Sequence, residues 1–330
     1  MPVRNAVATV GVAVQSIVEQ AFTDWELVAV DDGSTDGTDQ RLRQLGAGEP
    51  RIRVVYRPAR GIVAALNEGM ALARGRLIAR MDADDESHPE RLAQQVAALE
   101  RDPGSGVVGT RVAFGGDPLA QAGYALHVAW LNALVTRREI SLNRFVESPF
   151  AHPSVMFRRE LVERHGGYRD GPFPEDYELW LRWLEAGVEM AKVPATLLTW
   201  NDPPGRLSRT DPRYDAEAFH TCKAPYLARW LARHVSARRQ ILVWGAGRPT
   251  RRRAEWLVRH GVEIHGYVDV DPQKIGRQFA GRPVVGPDAV PSPDAVFILG
   301  YVAKRGAREL IRDCLGRRGY EEGRDFLLAA

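Results

Sequence analysis

Short apolar runs of β-type residues at 26–30, 51–56, 77–81 and 107–114 alternate with stretches of helical apolar spacing at 36–45, 62–73 and 89–100. No other pattern in the chain constrains the fold as much. Strands that alternate with helices bury their faces most simply in a mostly parallel sheet with helices on both sides. A preceding helical stretch, 6–20, carries Val10, Val14, Ile17 and Val18 at the right spacing. Two of the runs end in acids. Val30 leads into Asp31-Asp32-Gly33-Ser34-Thr35-Asp36-Gly37, and Met81 into Asp82-Ala83-Asp84-Asp85. In open α/β sheets, ligands bind beyond the carboxyl ends of the strands. Carboxylates packed as densely as Asp82, Asp84 and Asp85 repel one another by about a kcal/mol each when partly exposed, whereas hard oxygen donors at that spacing suit a divalent cation carrying phosphates. Simpler roles stay open from the residues alone: an Asx turn capping the next helix for Asp31 and Asp32, and a solvated acidic loop before a helix opening at Pro89.

Further along, the pattern predicts a strand at 155–157, a helix at 175–185, a strand at 188–193, a looser Pro-rich stretch at 194–212 and a helix at 216–234. A fresh strand-helix start then appears. Gln240-Ile241-Leu242-Val243-Trp244 runs into Gly245-Ala246-Gly247 and a basic helical stretch, and the next strand, 264–268, ends in Asp269, with short strands at 283–285 and 295–299. The expected boundary lies between Leu231 and Arg239, giving domains of 1–235 and 239–330. Gly245 and Gly247 can bring a strand-helix turn close to a phosphate, and Asp269 can meet a ribose hydroxyl. Thr250, however, stands where the third glycine of a dinucleotide fingerprint belongs. A tight turn in a scaffolding or subunit-contact domain is therefore weighed above nucleotide binding. The Arg251-Arg252-Arg253 run reads as a solvated helix face.

A length of 330 residues suits two domains, and 45% hydrophobic with 26% charged residues is the balance of a globular chain. The net charge is +3, and only four of the 45 basic residues are lysines, so the arginines read as compositional bias and a nucleic-acid partner is not expected. Cys222 and Cys314 are the only cysteines. They provide neither a disulfide framework nor a cysteine-rich zinc site, and the expected location is the cytoplasm. No apolar run reaches membrane-spanning length, and no signal peptide is read at the start. The apolar stretch 124–135, interrupted by His127 and Asn132 and followed by Arg137 and Arg138, reads as a packed helix or a lid over an acceptor, with peripheral contact at the inner face of a membrane as the other reading.

Five ordered elements carry a resemblance: Pro2-Val3-Arg4-Asn5; Val30-Asp31-Asp32-Gly33-Ser34-Thr35-Asp36-Gly37; Ala65-Leu66-Asn67 with Gly69 and Ala73-Arg74-Gly75; Met81-Asp82-Ala83-Asp84-Asp85; and Glu175-Asp176-Tyr177. In order and spacing the chain resembles family two inverting glycosyltransferases over residues 1–210. The resemblance implies an α/β fold of the GT-A nucleotide-diphospho-sugar transferase type, and residues 239–330 resemble the smaller Rossmann-like α/β domains appended to several sugar-modifying enzymes. It implies that Asp32 accepts a hydrogen bond from the nucleotide base with Pro2 and Asp31 close by, that Asp82 lies at the ribose, that Asp84 ligates Mg2+ or Mn2+ on the diphosphate, and that Asp176 is the general base. Arg60 is a candidate donor contact, and His152 reads as structural. The implied reaction is an inverting, metal-dependent, non-processive transfer of a sugar from a nucleoside diphosphate, expected to be UDP, to a hydroxyl of a growing glycan or lipid-linked saccharide.

The chain departs from its relatives in three places. They usually have an apolar first strand before the Pro-Val-x-Asn element, so an upstream start is expected. They often carry Arg-x-His where Asn201 and Pro203 stand, leaving Asp202 or Arg206 as substitutes. Processive relatives carry Gln-x-x-Arg-Trp, of which Tyr226-Leu227-Ala228-Arg229-Trp230 keeps only the Arg-Trp. Two alternatives make different predictions. A nonenzymatic sugar-nucleotide binder would keep Asp32 and Asp84 but not depend on Asp176, and a nicotinamide-dependent oxidoreductase would rest on Gly245, Gly247 and Asp269 without a visible Tyr-x-x-x-Lys.

Overall fold

In the computed structural model, which describes residues 1–203 and 205–330, a parallel sheet comes first. It comprises β1 (Pro2–Val3), β2 (Leu27–Asp32) and β3 (Ile52–Arg57), linked through helices α1 (Val10–Val18) and α2 (Thr38–Gly48) and followed by α3 (Ile62–Leu72). All six residues of β2 are buried, as expected of a strand covered on both faces. The chain continues through β4 (Leu77–Ala79), β5 (Glu86–Ser87), α4 (Arg91–Arg101), β6 (Ser105–Phe114), α5 (Ala122–Ala133), α6 (Arg137–Asn143), β7 (Met156–Arg158), α7 (Glu160–His165), α8 (Glu175–Glu185) and β8 (Glu189–Trp200). These strands form a second sheet in the order β4-β7-β6-β8-β5.

The α/β alternation is as the sequence predicts, but this second sheet is mixed. Only β6 and β8 run parallel, and the β4–β7, β6–β7 and β5–β8 pairs are antiparallel. Apolar patterning marks where a strand lies and is silent on its direction, which depends on the end of the sheet at which a connection returns. The chain also stays extended where a loop is expected. β8 passes through Pro194 because its register on β6 shifts between Thr110↔Val193 and Arg111↔Thr196. Such a bulge tolerates the missing N–H of proline, and the Pro194 carbonyl accepts a bond from Arg111 Nη1 at 3.3 Å.

The stretch around Tyr124 is helix α5. Asn132, which interrupts its apolar run, clamps the helix to β6: Oδ1 accepts from Val112 N at 2.9 Å and Nδ2 donates to Val112 O at 2.8 Å. One core cluster packs Trp180 and Trp183, both fully buried, against Phe150, Phe157, Val107 and Met190.

After α9 (Leu207–Thr210) come α10 (Ala216–His234), β9 (Gln240–Trp244), α11 (Arg248–Arg259), β10 (Gly266–Val268), β11 (Gln278–Phe279), β12 (Arg282–Val285), β13 (Val296–Gly300), α12 (Ala307–Arg317) and β14 (Phe326–Leu328). The strand order is β11-β12-β10-β9-β13-β14, parallel except for the β11 edge, and the order turns back on itself at β9.

Two compact units result. One comprises Met1–Ile140, Pro149–Gly171 and Glu178–Asp211; the other comprises Ser141–Ser148, Pro172–Tyr177 and Pro212–Ala330.

Candidate functional site

The carboxyl end of β2 is held by backbone donors. Asp32 Oδ1 accepts from Arg60 N at 2.7 Å and Oδ2 from Gly61 N at 2.9 Å, with the Arg4 guanidinium 3.7 Å away. This arrangement needs Gly33. Its φ is +73°, and a Cβ there would lie 2.7 Å from Ala59 N, so only glycine lets the loop before α3 come this close. Asp31 closes the Asx turn by accepting bonds from the Ser34 amide, at 3.2 Å, and from the Ser34 hydroxyl. Asn5, at φ 49°, accepts from Thr35 N at 2.9 Å, and Pro2 pairs with Val30. The elements at residues 2–5 and 30–37 thus form one hydrogen-bonded edge. The Arg60 side chain is exposed.

Beyond β4 the environment is the opposite. One ligand oxygen from each of Asp82, Asp84 and Asp85 lies within 4.8 Å of the others. Asp82 pairs with Arg80, whose guanidinium is 5% exposed and is kept charged despite burial by Asp82. Burial, reinforced by Asp82, pushes the Asp84 carboxyl up to about 6, while Arg206 and Arg80 act against the rise. Asp85 is raised well above the usual carboxylate range by burial and by both neighbouring acids. Its Oδ1 accepts from Asn201 N at 2.8 Å, and Asn201 Nδ2 donates to Asp84 O at 2.7 Å. The buried Asp85 Oδ2 has no hydrogen-bond partner among the described residues. Mutually repelling carboxylates with an orphaned buried oxygen fit a hard divalent cation, which would supply the missing partner and relieve the repulsion.

Of the two substitutes expected after β8, Asp202 is committed elsewhere: its side chain is fully buried and accepts from Arg209 Nε at 2.8 Å. Arg206 lies over the Trp200 ring, 4.2 Å from its centroid, and donates to Tyr124 Oη at 2.7 Å. His152 is buried, bonds Tyr168 Oη at 2.7 Å and is pushed well below its ordinary range by burial, which suits a neutral packing role. A separate cavity of about 720 Å3 is lined by Leu27, Val28, Leu77, Ile78, Trp25 and Phe157, and the clustered carboxylates are not among its walls.

Asp176 belongs to the other unit. It sits in the first turn of α8 between the buried Glu175 and Tyr177, and is itself half-buried. Ser148 Oγ donates to its Oδ2 at 3.4 Å, while Tyr214 Oη donates to Glu175 Oε2 at 2.6 Å. The helix N-terminus favours a carboxylate there.

Gly245, Gly247 and Asp269 also come together, at the ends of β9 and β10. Asp269 Oδ2 accepts from Ala246 N at 2.8 Å and from Lys274 Nζ at 3.3 Å, and Oδ1 from Asp271 N at 2.9 Å. A Cβ on Gly245, at φ +111°, would lie 2.8 Å from Val302 and 3.0 Å from Thr250.

Sequence reasoning named Asp85 only within the acidic cluster and Asn201 only as a departure from the relatives, and did not single out Arg80 or Tyr214. A charged residue inside the apolar run at 77–81 was the available signal for Arg80. Nothing local marks Tyr214.

The model of the family described as "Glycosyl transferase family 2" matches residues 1–166. EpsE of Bacillus subtilis (strain 168) is 33% identical over 192 residues, covering 57% of this chain and 66% of that protein, just under two thirds of its length. WfgD of Escherichia coli, described as a UDP-Glc:alpha-D-GlcNAc-diphosphoundecaprenol beta-1,3-glucosyltransferase, is 27% identical over 191 residues, covering 56% of this chain and 68% of that protein. In fold, the chain is similar to the crystal structure of S. aureus TarS 1–349 in complex with UDP-GlcNAc, with a TM-score of 0.56 at 17% identity over 78% of this chain and 69% of that one. With half its length matched by the family model and its acids gathered at the strand ends where the family motifs fall, the chain belongs to glycosyltransferase family 2.

Proposed function

We propose that the protein transfers a sugar from a nucleoside diphosphate to a hydroxyl of a glycan or lipid-linked saccharide, with inversion at the anomeric carbon and one sugar per encounter. The observation that carries this reading is the cluster of Asp82, Asp84 and Asp85 with its orphaned buried oxygen. Asp32 and Asp31, beside Pro2, would recognise the base, and Asp82 the ribose. Asp84 would hold Mg2+ or Mn2+, with the unsatisfied Asp85 oxygen next to it. When bound, the cation neutralises charge on the leaving diphosphate. Asp176 would take the proton from the acceptor hydroxyl as that oxygen attacks the face opposite the leaving group.

A UDP donor and a lipid-linked acceptor are supported by the description of WfgD. Residues 1–235 are assigned as the transferase domain and 239–330 as a Rossmann-like scaffold. The scaffold reading of the latter is supported by the internal bonds of Asp269 and by the side chains packed at Gly245.

Peripheral membrane contact in the cytoplasm is supported by the uncharged stretch 118–136 and by Leu126, 44% exposed on α5. Among the described residues, no helix is long and apolar enough to cross a membrane.

The test is calorimetric titration with UDP-, GDP- and dTDP-sugars, with and without Mn2+, on wild type and Asp84→Ala. Donor binding that needs Mn2+ and is lost in Asp84→Ala is the expected result. A folded wild type that binds no donor overturns the reading. Asp176→Asn should keep donor binding while slowing turnover by about 10² to 10⁴.

A further inference from the structure

The candidate base belongs to the same unit as the C-terminal sheet, and the bonds within that unit suggest why. Segments Ser141–Ser148 and Pro172–Tyr177 group with Pro212–Ala330. Lys223, on α10, is 1% exposed, and its Nζ donates to Val146 O at 3.2 Å and to Ala329 O at 2.7 Å. Ala329 in turn donates to Gly300 O at 2.8 Å, so it continues the β13–β14 pairing. One buried lysine side chain therefore ties the segment 141–148, the end of α6 and the turn after it, to the edge of the sheet. That segment carries Ser148, which donates to Asp176, and Arg144, whose carbonyl accepts from Tyr177 Oη at 2.7 Å. Tyr177 packs on Phe219 of α10 with ring centroids 5.3 Å apart, and Tyr214, just before α10, donates to Glu175. Each residue of Glu175-Asp176-Tyr177 thus has a partner drawn from 141–148 or from 212 onward.

The residue type at 223 adds weight. The chain has only four lysines among its 45 basic residues. A buried arginine cannot shed its charge, whereas a buried lysine can and still donate hydrogen bonds. Burial lowers the Lys223 pKa to about 7.

We propose that the unit formed by Ser141–Ser148, Pro172–Tyr177 and Pro212–Ala330 acts as the positioning body of the general base, with Lys223 and Tyr214 as positioning residues that hold Asp176 through the segment 141–148 and through Glu175. The inference rests on the assignment of Asp176 as the base. It gives the C-terminal sheet, reached through Ala329, a part in turnover that does not require it to bind a ligand.

The experiment uses the full chain and measures release of nucleoside diphosphate from UDP-glucose, UDP-GlcNAc or GDP-mannose, whichever the wild type turns over. Donor affinity and melting temperature are measured alongside. Lys223→Met keeps the length of the side chain, removes both bonds and relieves the burial of an amine. Tyr214→Phe removes one hydroxyl and guards against misfolding of the first variant. Each should lower kcat about tenfold or more, the size expected for a lost hydrogen bond to a charged or buried group, with donor affinity and KM for the donor unchanged. Wild-type kcat in both, with Asp176→Asn inactive, overturns the inference and leaves the base assignment standing. A fall in kcat that comes with an equal loss of donor affinity also overturns it, because the effect is then general disruption. Full activity in Asp176→Asn overturns the base assignment and the inference with it.

Discussion

The two acidic strand ends of the first unit are written alike in the sequence and built in opposite ways. After β2, the Asp32 oxygens accept from two backbone amides at 2.7 and 2.9 Å, and Asp31 closes a turn on Ser34. After β4, Asp82, Asp84 and Asp85 face one another, Asp84 rises to about 6, and a buried Asp85 oxygen is left without a partner. The first site is complete as it stands, so its acids hold shape and present a fixed surface. The second is internally repulsive and is completed by a positive ligand. Satisfied and unsatisfied carboxylates should therefore respond to substitution with opposite signs.

The strongest way to break this contrast is Gly33→Ala. The left-handed backbone and the 2.7 Å approach to Ala59 N should cost about 2–4 kcal/mol and pull the loop off Asp32. Chemical denaturation measures it, and a loss below half a kcal/mol would show that the loop does not depend on this glycine. Next comes Asp32→Asn. Asparagine keeps one acceptor oxygen and sets a donor NH2 against the second backbone N–H, and a loss of about 1–3 kcal/mol is expected in the same measurement.

The pH dependence of the cation-free protein should be smaller per step. Burial lowers the Lys192 pKa to about 7 from an ordinary 10.5. Between those values the unfolded chain holds a proton that the native chain lacks, so stability should rise with pH from about 7 towards 10. Its contribution is at most about 1.4 kcal/mol per pH unit. Melting curves across that range, with Lys192→Met reducing a rise to which Lys223 also contributes, test the sign, and a slope that is the same in the variant refutes the assignment.

The smallest expected effect is also the sharpest for the comparison. Asp85→Asn removes one repelling charge and should stabilise the cation-free protein by up to about 1 kcal/mol, while weakening the Mn2+-dependent gain in melting temperature. Destabilisation in the absence of metal would place Asp85 with Asp32 among the satisfied acids.

Some of this was legible in the residues. The β-type runs ending in Asp31-Asp32 and Asp82-Ala83-Asp84-Asp85 located both strand ends, and the helix at Glu175–Glu185 was found with its acids in the first turn. Local patterns suffice there because side-chain period and turn chemistry are set by near neighbours in the chain. The antiparallel placement of β7 was not legible, nor was the passage of β8 through Pro194, since strand direction and bulges are fixed by pairing partners far away in sequence.

Within the site, the sequence by itself determined which acids exist and that they fall at strand ends. Tertiary structure alone decided which of their oxygens are satisfied. Asn201 reaches Asp85 across 116 residues, Arg60 reaches Asp32 across 28, and Lys223 spans 106 to Ala329. The physical reason is that desolvation and hydrogen-bond satisfaction depend on what the folded chain brings within about 3 Å of an atom, and that is a property of long-range packing.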